Sequence, residues 1–189
     1  MATCFVLGLI LTSIFLVVYF SPPELPHVTL VSLNVSKLNF TSYHNVSGYV
    51  DMQFQVLNAN MLTDFCYDEF NCSMYHGERR LASTMFQGFF QRARETETIN
   101  FTVYLTPVTT TAKEIRKDSA PYSFEEFDVK LATFINWGYG SSKSVSVTCN
   151  EVPVGLVLRA PGHGKMIGPA RKCKLEGEDS TLLAQIFNN

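Results

Sequence analysis

The strongest constraint on this chain is a period of two. Val50, Met52, Phe54 and Val56 alternate with Asp51, Gln53 and Gln55. Ile99, Phe101, Val103 and Leu105 alternate with Asn100, Thr102 and Tyr104, and Val145, Val147 and Cys149 with Ser144, Ser146 and Thr148. Successive side chains of a strand leave on opposite faces, so each run buries one face and wets the other, as half-buried antiparallel strands do. A fourth run, Val152, Val154, Leu156 and Leu158, follows a short break at Asn150-Glu151.

The first strand is less regular. Val31, Leu33 and Val35 share one parity, whereas Leu38 and Phe40 take the other. A bulge near Lys37 lets both sets face the core and turns Asn34 and Asn39 outward. Further strands are expected around Arg80–Met85, Phe127–Thr133 and Lys172–Leu175. The polar stretch from Val108 to Ala120 reads as a loop or a short helix. Seven or eight short strands separated by turns indicate an all-β fold, an immunoglobulin- or fibronectin-like antiparallel β-sandwich.

Ahead of the strands, Ala2 to Phe20 carries no charge and is rich in Leu, Val, Ile and Phe. As a helix it would span roughly 28 Å, close to the hydrocarbon thickness of a bilayer. Pro22 and Pro23 stop it. An uncleaved signal anchor and a cleaved signal peptide compete. Bulky Val18-Tyr19-Phe20, where cleavage needs small residues, favours the anchor. The expected organisation is a signal-anchor transmembrane helix over 1–20, a proline-rich linker over 21–26, a β-sandwich over 27–175 and a polar tail over 176–189.

The side of the membrane is read from sequons and cysteines. Asn-x-Ser/Thr occurs at Asn34, Asn39, Asn45, Asn71 and Asn100, whereas chance predicts about two. Cys4 lies in the apolar segment, which leaves Cys66, Cys72, Cys149 and Cys173. An even number in a secretory context suggests disulfides, with three possible pairings. Cys149 ends an inward-facing run and Cys173 follows about one hairpin later, so Cys149–Cys173 is the expected bridge. Cys66–Cys72 is the second candidate pair, with free thiols as its alternative. The spacing does not match a zinc ribbon.

Chemistry is harder to find. With a net charge of −2 and 17% charged residues, the chain has no basic stripe for nucleic acid. No Gly-x-Ser-x-Gly elbow is present. His27, His44, His76 and His163 fall in separate segments and are expected to be scattered and exposed. Gly162-His163-Gly164-Lys165 reads as a glycine-rich hairpin turn, and Glu125, Glu126 and Asp128 as a solvated strand edge. The expectation is no enzyme, and no catalytic, cofactor-binding or metal-binding residue.

The order of motifs carries a family resemblance. The apolar segment is followed by Pro22, Pro23 and Pro26, then Leu38-Asn39-Phe40-Thr41 and Asn58-Ala59-Asn60. Tyr75, Arg80-Leu81-Ala82-Ser83-Thr84 and Phe89-Phe90-Gln91 come next. Val145-x-Val147-x-Cys149 and Ala170-Arg171-Lys172-Cys173-Lys174-Leu175 close the domain. From Pro22 to Leu175 this resembles the plant harpin-induced and non-race-specific disease resistance-like membrane proteins. Their domain is the second-subgroup late embryogenesis abundant, or water-stress and hypersensitive-response, domain. Such relatives have Asn-Pro-Asn where this chain has Asn58-Ala59-Asn60.

The resemblance implies a single-pass plasma-membrane glycoprotein with an extracellular or lumenal domain, acting as an interaction module in defence or stress signalling. Its expected partners are the bilayer, through residues 2–20, and a protein at the membrane. A passive dehydration-protective role and a lipid-binding sandwich are the alternatives. Oligomeric state stays open.

Overall fold

The computed structural model describes residues 22–42, 45–105, 122–138, 141–157 and 162–178, with residues 8, 10, 12 and 13. Most of the apolar segment expected to form the anchor lies outside the described residues, as does the stretch from Val108 to Ala120. Among the described residues no helix is long and apolar enough to cross a membrane.

Among the described residues twelve strands follow one another: β1 (His27–Ser42), β2 (Asn45–Leu57), β3 (Phe65–Tyr67), β4 (Phe70–His76), β5 (Arg79–Phe86), β6 (Phe90–Gln91), β7 (Thr96–Leu105), β8 (Tyr122–Trp137), β9 (Ser141–Val157), β10 (Gly162–Met166), β11 (Arg171–Lys172) and β12 (Lys174–Glu178). The described strands thus run from His27 to Glu178. Every pairing is antiparallel, in the order β5-β4-β8-β9-β10-β1-β2-β7. The two ends of that order face each other across the core, where Phe86 of β5 meets Phe101 of β7 at 5.2 Å between ring centroids. Leu30, Leu33, Phe54, Phe65, Phe101, Leu131 and Ile135 are buried there. Each contributes roughly 1.5–3 kcal/mol of transfer free energy.

Register shifts let long strands serve this core: one between Leu30 and Ser32 keeps Leu30 and Leu33 both buried, and two more centre on residues with positive φ. Lys37 takes φ 51° and the β1 register shifts between Ser36 and Asn39. Val35 and Leu38 consequently both face inward, while Asn34 and Asn39 face solvent. The second bulge corrects the expected break at Asn150-Glu151. β9 is one strand, Glu151 takes φ 51°, and Cys149 and Val152 on either side are both buried. The Glu151 amide donates to Asp128 Oδ1 at 2.7 Å, and Arg171 Nη1 donates to the Glu151 carbonyl. An extra residue in a ladder leaves backbone groups unpaired, and these two side chains satisfy them.

A second correction concerns Gly162–Lys165, which forms strand β10 rather than a hairpin turn. A Cβ on Gly162 would lie 2.7 Å from the Val157 carbonyl, and one on Gly164 would strike Leu156 Cδ2. The glycines are there because β10 packs too closely on β9 to admit a side chain.

Cys149 and Cys173 form a disulfide with Cα atoms 4.5 Å apart. Cys173 lies where the chain leaves β1, through β11, and joins β9, through β12; its amide donates to the Val28 carbonyl at 2.9 Å. Cys66 and Cys72 do not pair and are free. Cys66 stands opposite Asn136 and Cys72 opposite Leu131, five residues or about 17 Å apart along β8. They also face opposite ways, with Cys66 exposed and Cys72 in the core. Burial pushes the Cys72 thiol up to about 12 and raises the Tyr67 phenol above its ordinary value.

Candidate functional site

The start of β8 breaks the alternation rule. Tyr122 and Phe124 point to solvent, while Ser123 and Glu125 take the half-buried face that continues inward to Phe127 and Val129. Apolar residues outside and a carboxylate inside cost stability, and such reversals concentrate where a surface is used. Glu125 is held by two donors. Its Oε2 is 3.1 Å from His76 Nε2 at the end of β4, and Ser123 Oγ donates to Oε1 at 2.6 Å. The His76 and Glu125 side chains are 19% and 15% exposed, which makes this a shielded pair. The His76 ring also leans on Phe127 at 5.6 Å.

His76 therefore departs from the expectation of four scattered, exposed histidines. His27 and His163 are exposed, and His44 lies outside the described residues. The expectation for the acidic cluster is corrected as well: Glu125 is half-buried and paired, and Asp128 caps the β9 bulge. Only Glu126 keeps the exposed position expected of a strand edge.

These residues line a groove of about 840 Å³ between the β4–β5 turn and the start of β8, floored by Glu151 and Pro153 of β9. Five carboxylates (Glu78, Glu125, Glu126, Asp128 and Glu151) outnumber Arg79 and His76 along it, with Phe124 at one wall. Nη1 of Arg79 is buried and has no hydrogen-bond partner among the described residues. Such an orphan donor costs free energy until an acceptor reaches it. Among the described residues no three of His, Cys, Asp and Glu converge as metal ligands.

A catalytic serine would donate to the histidine. Here Ser123 donates to the carboxylate instead, and both Glu125 oxygens are engaged. What the groove offers is negative charge plus one buried donor.

The sequons sort by exposure. Asn34 and Asn39 on β1 and Asn100 on β7 face solvent, the last accepting from Gln53 Nε2 at 3.2 Å. Asn71 is half-buried on β4, which is paired on both sides, and accepts from Ser73 Oγ at 3.3 Å. The Asn45 side chain lies outside the described residues.

Two buried amides escaped the sequence reading. Gln91, fully buried, accepts from the Tyr67 hydroxyl at 2.7 Å and donates to the carbonyls of Val56 and Glu95. Asn58, also fully buried, donates to the carbonyls of Thr63 and Arg92 and accepts from the Asn60 amide. Their place in the motifs Phe89-Phe90-Gln91 and Asn58-Ala59-Asn60 was the available signal.

Fold and site together define an all-β, disulfide-bonded domain with an acidic surface groove. No protein-family model matches the chain. Over 66 residues it is 30% identical to NDR1/HIN1-like protein 2 of Arabidopsis thaliana, a match that covers 35% of this chain and 28% of that relative. The similarity thus reaches little more than a quarter of the relative's length.

Proposed function

We propose that the chain is a membrane-anchored, extracytoplasmic interaction module of plant defence or stress signalling, with no catalytic activity, and that its groove receives a basic segment of a protein partner. The observation that carries the partner's chemistry is the excess of carboxylates around one orphaned donor. Lys or Arg side chains of a bound segment would meet Glu78, Glu126 and Glu151, and a backbone carbonyl of the same segment would satisfy Arg79 Nη1. The interior is packed with Phe54, Phe65, Phe70 and Phe101, which favours surface recognition over an enclosed lipid.

The cellular setting is supported by three features. They are the likeness to NDR1/HIN1-like protein 2, the apolar run over 2–20, and a disulfide of the kind that persists in oxidising compartments. A fibronectin-like sandwich is the architecture we assign to the folded-over sheet.

Membranes from leaf cells expressing the chain test both parts. The chain should stay in the pellet through alkaline carbonate. A double variant, Glu78→Lys/Glu126→Lys, should stay there too yet bind a Lys/Arg-rich peptide at least about tenfold more weakly. Release by carbonate would refute the anchor, and unchanged peptide affinity would refute the groove.

A further inference from the structure

The end of the domain that receives the N-terminal segment is rigid and carries exposed apolar residues. Glu24 is bonded twice to Asn60: its amide donates to Asn60 Oδ1 at 2.9 Å, and Asn60 Nδ2 donates to the Glu24 carbonyl at 2.8 Å. Asn60 in turn donates to Asn58 Oδ1 at 2.9 Å, and Asn58 holds the carbonyls of Thr63 and Arg92. The Arg94 amide closes the set by donating to the Asn60 carbonyl at 3.1 Å. The linker and the loops 58–64 and 92–95 are therefore one unit.

The next two residues after Asn60 have no apolar cover. Met61 is 67% exposed and Leu62 is 85% exposed. Arg92 and Arg94, both exposed, flank them, and neither guanidinium forms an ion pair among the described residues. The nearby acids are engaged: Asp64 accepts the Ala93 amide, Glu95 the Arg92 amide, and Glu24 pairs with His27 at 3.3 Å.

What covers Met61 and Leu62 follows from chain length. Three residues lie between Phe20, the end of the apolar run, and Glu24, and the four Cα steps from one to the other reach at most about 14 Å. The interfacial layer on each side of a bilayer is itself about 5–8 Å thick. If residues 2–20 span the membrane, the Asn60–Leu62 turn is held at its surface.

We infer that the Met61–Leu62 turn is a second membrane contact: its two side chains enter the headgroup–acyl boundary, and Arg92 and Arg94 meet lipid phosphates. This rests on the anchored reading proposed above. Its consequence is orientation. A domain held by one flexible linker would tumble, whereas one held by the linker and this turn keeps a fixed face toward the bilayer.

The test uses the full chain in phosphatidylcholine vesicles containing a spin-labelled lipid. Cys4 and Cys66 are replaced by serine, and an environment-sensitive fluorophore is placed on Leu62→Cys. The control carries the dye on His163→Cys, an exposed site opposite residues 35–38 of β1, about 27 Å along that strand from His27. Flotation with the vesicles is measured on the same samples. The inference expects the protein to float and the probe at 62 to be quenched at least about threefold more than the probe at 163, as its interfacial depth requires. Adding Met61→Asp should remove most of that difference while flotation persists. Flotation with equal quenching at both sites would overturn the membrane contact and leave the anchor intact. Failure to float would overturn the anchor and this contact together.

Discussion

Cys149 is joined to Cys173 across a sequence separation of 24 residues, and Arg171, two residues before the bond, donates to the Glu151 carbonyl two residues after it. The bridge and the β9 bulge are thus fastened to each other, and both hold β9 against the segment of β11 and β12. Loop-closure entropy for a separation of this size is worth about 3 kcal/mol. Cys173→Ala should therefore lower the unfolding free energy by about 3 kcal/mol in chemical denaturation, and reductant should do the same to the native chain. Insensitivity to both would show that β11 and β12 are held by their ladders alone.

Asn58 is the second point of fragility. Asn58→Leu removes two donors and one acceptor from a fully buried position, leaving the carbonyls of Thr63 and Arg92 and the Asn60 amide without partners. A cost of about 2–3 kcal/mol is expected. Because the same amide organises the linker, hydrogen exchange should speed up over 58–64 and 92–95 and stay unchanged in β9. A uniform change across the domain would argue against a local unit.

Alkaline pH should destabilise the fold through Cys72. Its ordinary value of 9.0 rises to about 12 in the core. Above pH 9 the unfolded chain therefore sheds a proton that the folded chain keeps. Stability is level below pH 9 and falls by about 1.4 kcal/mol per pH unit above it, until the folded thiol itself titrates. Cys72→Ala should remove that slope, at the cost of some packing. The buried Tyr67 phenol adds to it at higher pH. An unfolding free energy that stays flat from pH 8 to pH 11 would contradict both assignments.

Much of this fold was legible because strand alternation is a local signal. The parity change between Val35 and Leu38 located the Lys37 bulge, and the inward position of Cys149 located its bridge to Cys173. β3, β4, β6 and β10 were missed, the last because its two glycines read as a turn. Phe65–Tyr67 and Phe90–Gln91 are too short to show a period, and β4 buries Cys72, Ser73 and Met74 in succession. The groove was illegible for a different reason. His76 and Glu125 lie 49 residues apart in sequence, and only the β4–β8 pairing brings them together. Around Glu125 the local pattern is also misleading, because Phe124 is outside and the carboxylate inside.

If the domain sits on the far side of a membrane, as proposed above, its solvent-facing sequons are open to glycosylation. Translated with microsomes, the full chain should gain mass that a glycosidase removes. Asn34→Gln, Asn39→Gln and Asn100→Gln should each take away one step of that gain, since all three side chains face solvent. Asn71→Gln should take away none, because its side chain is half-buried between two ladders. A chain that gains no glycan and is fully digested by protease added outside sealed microsomes would contradict the claim.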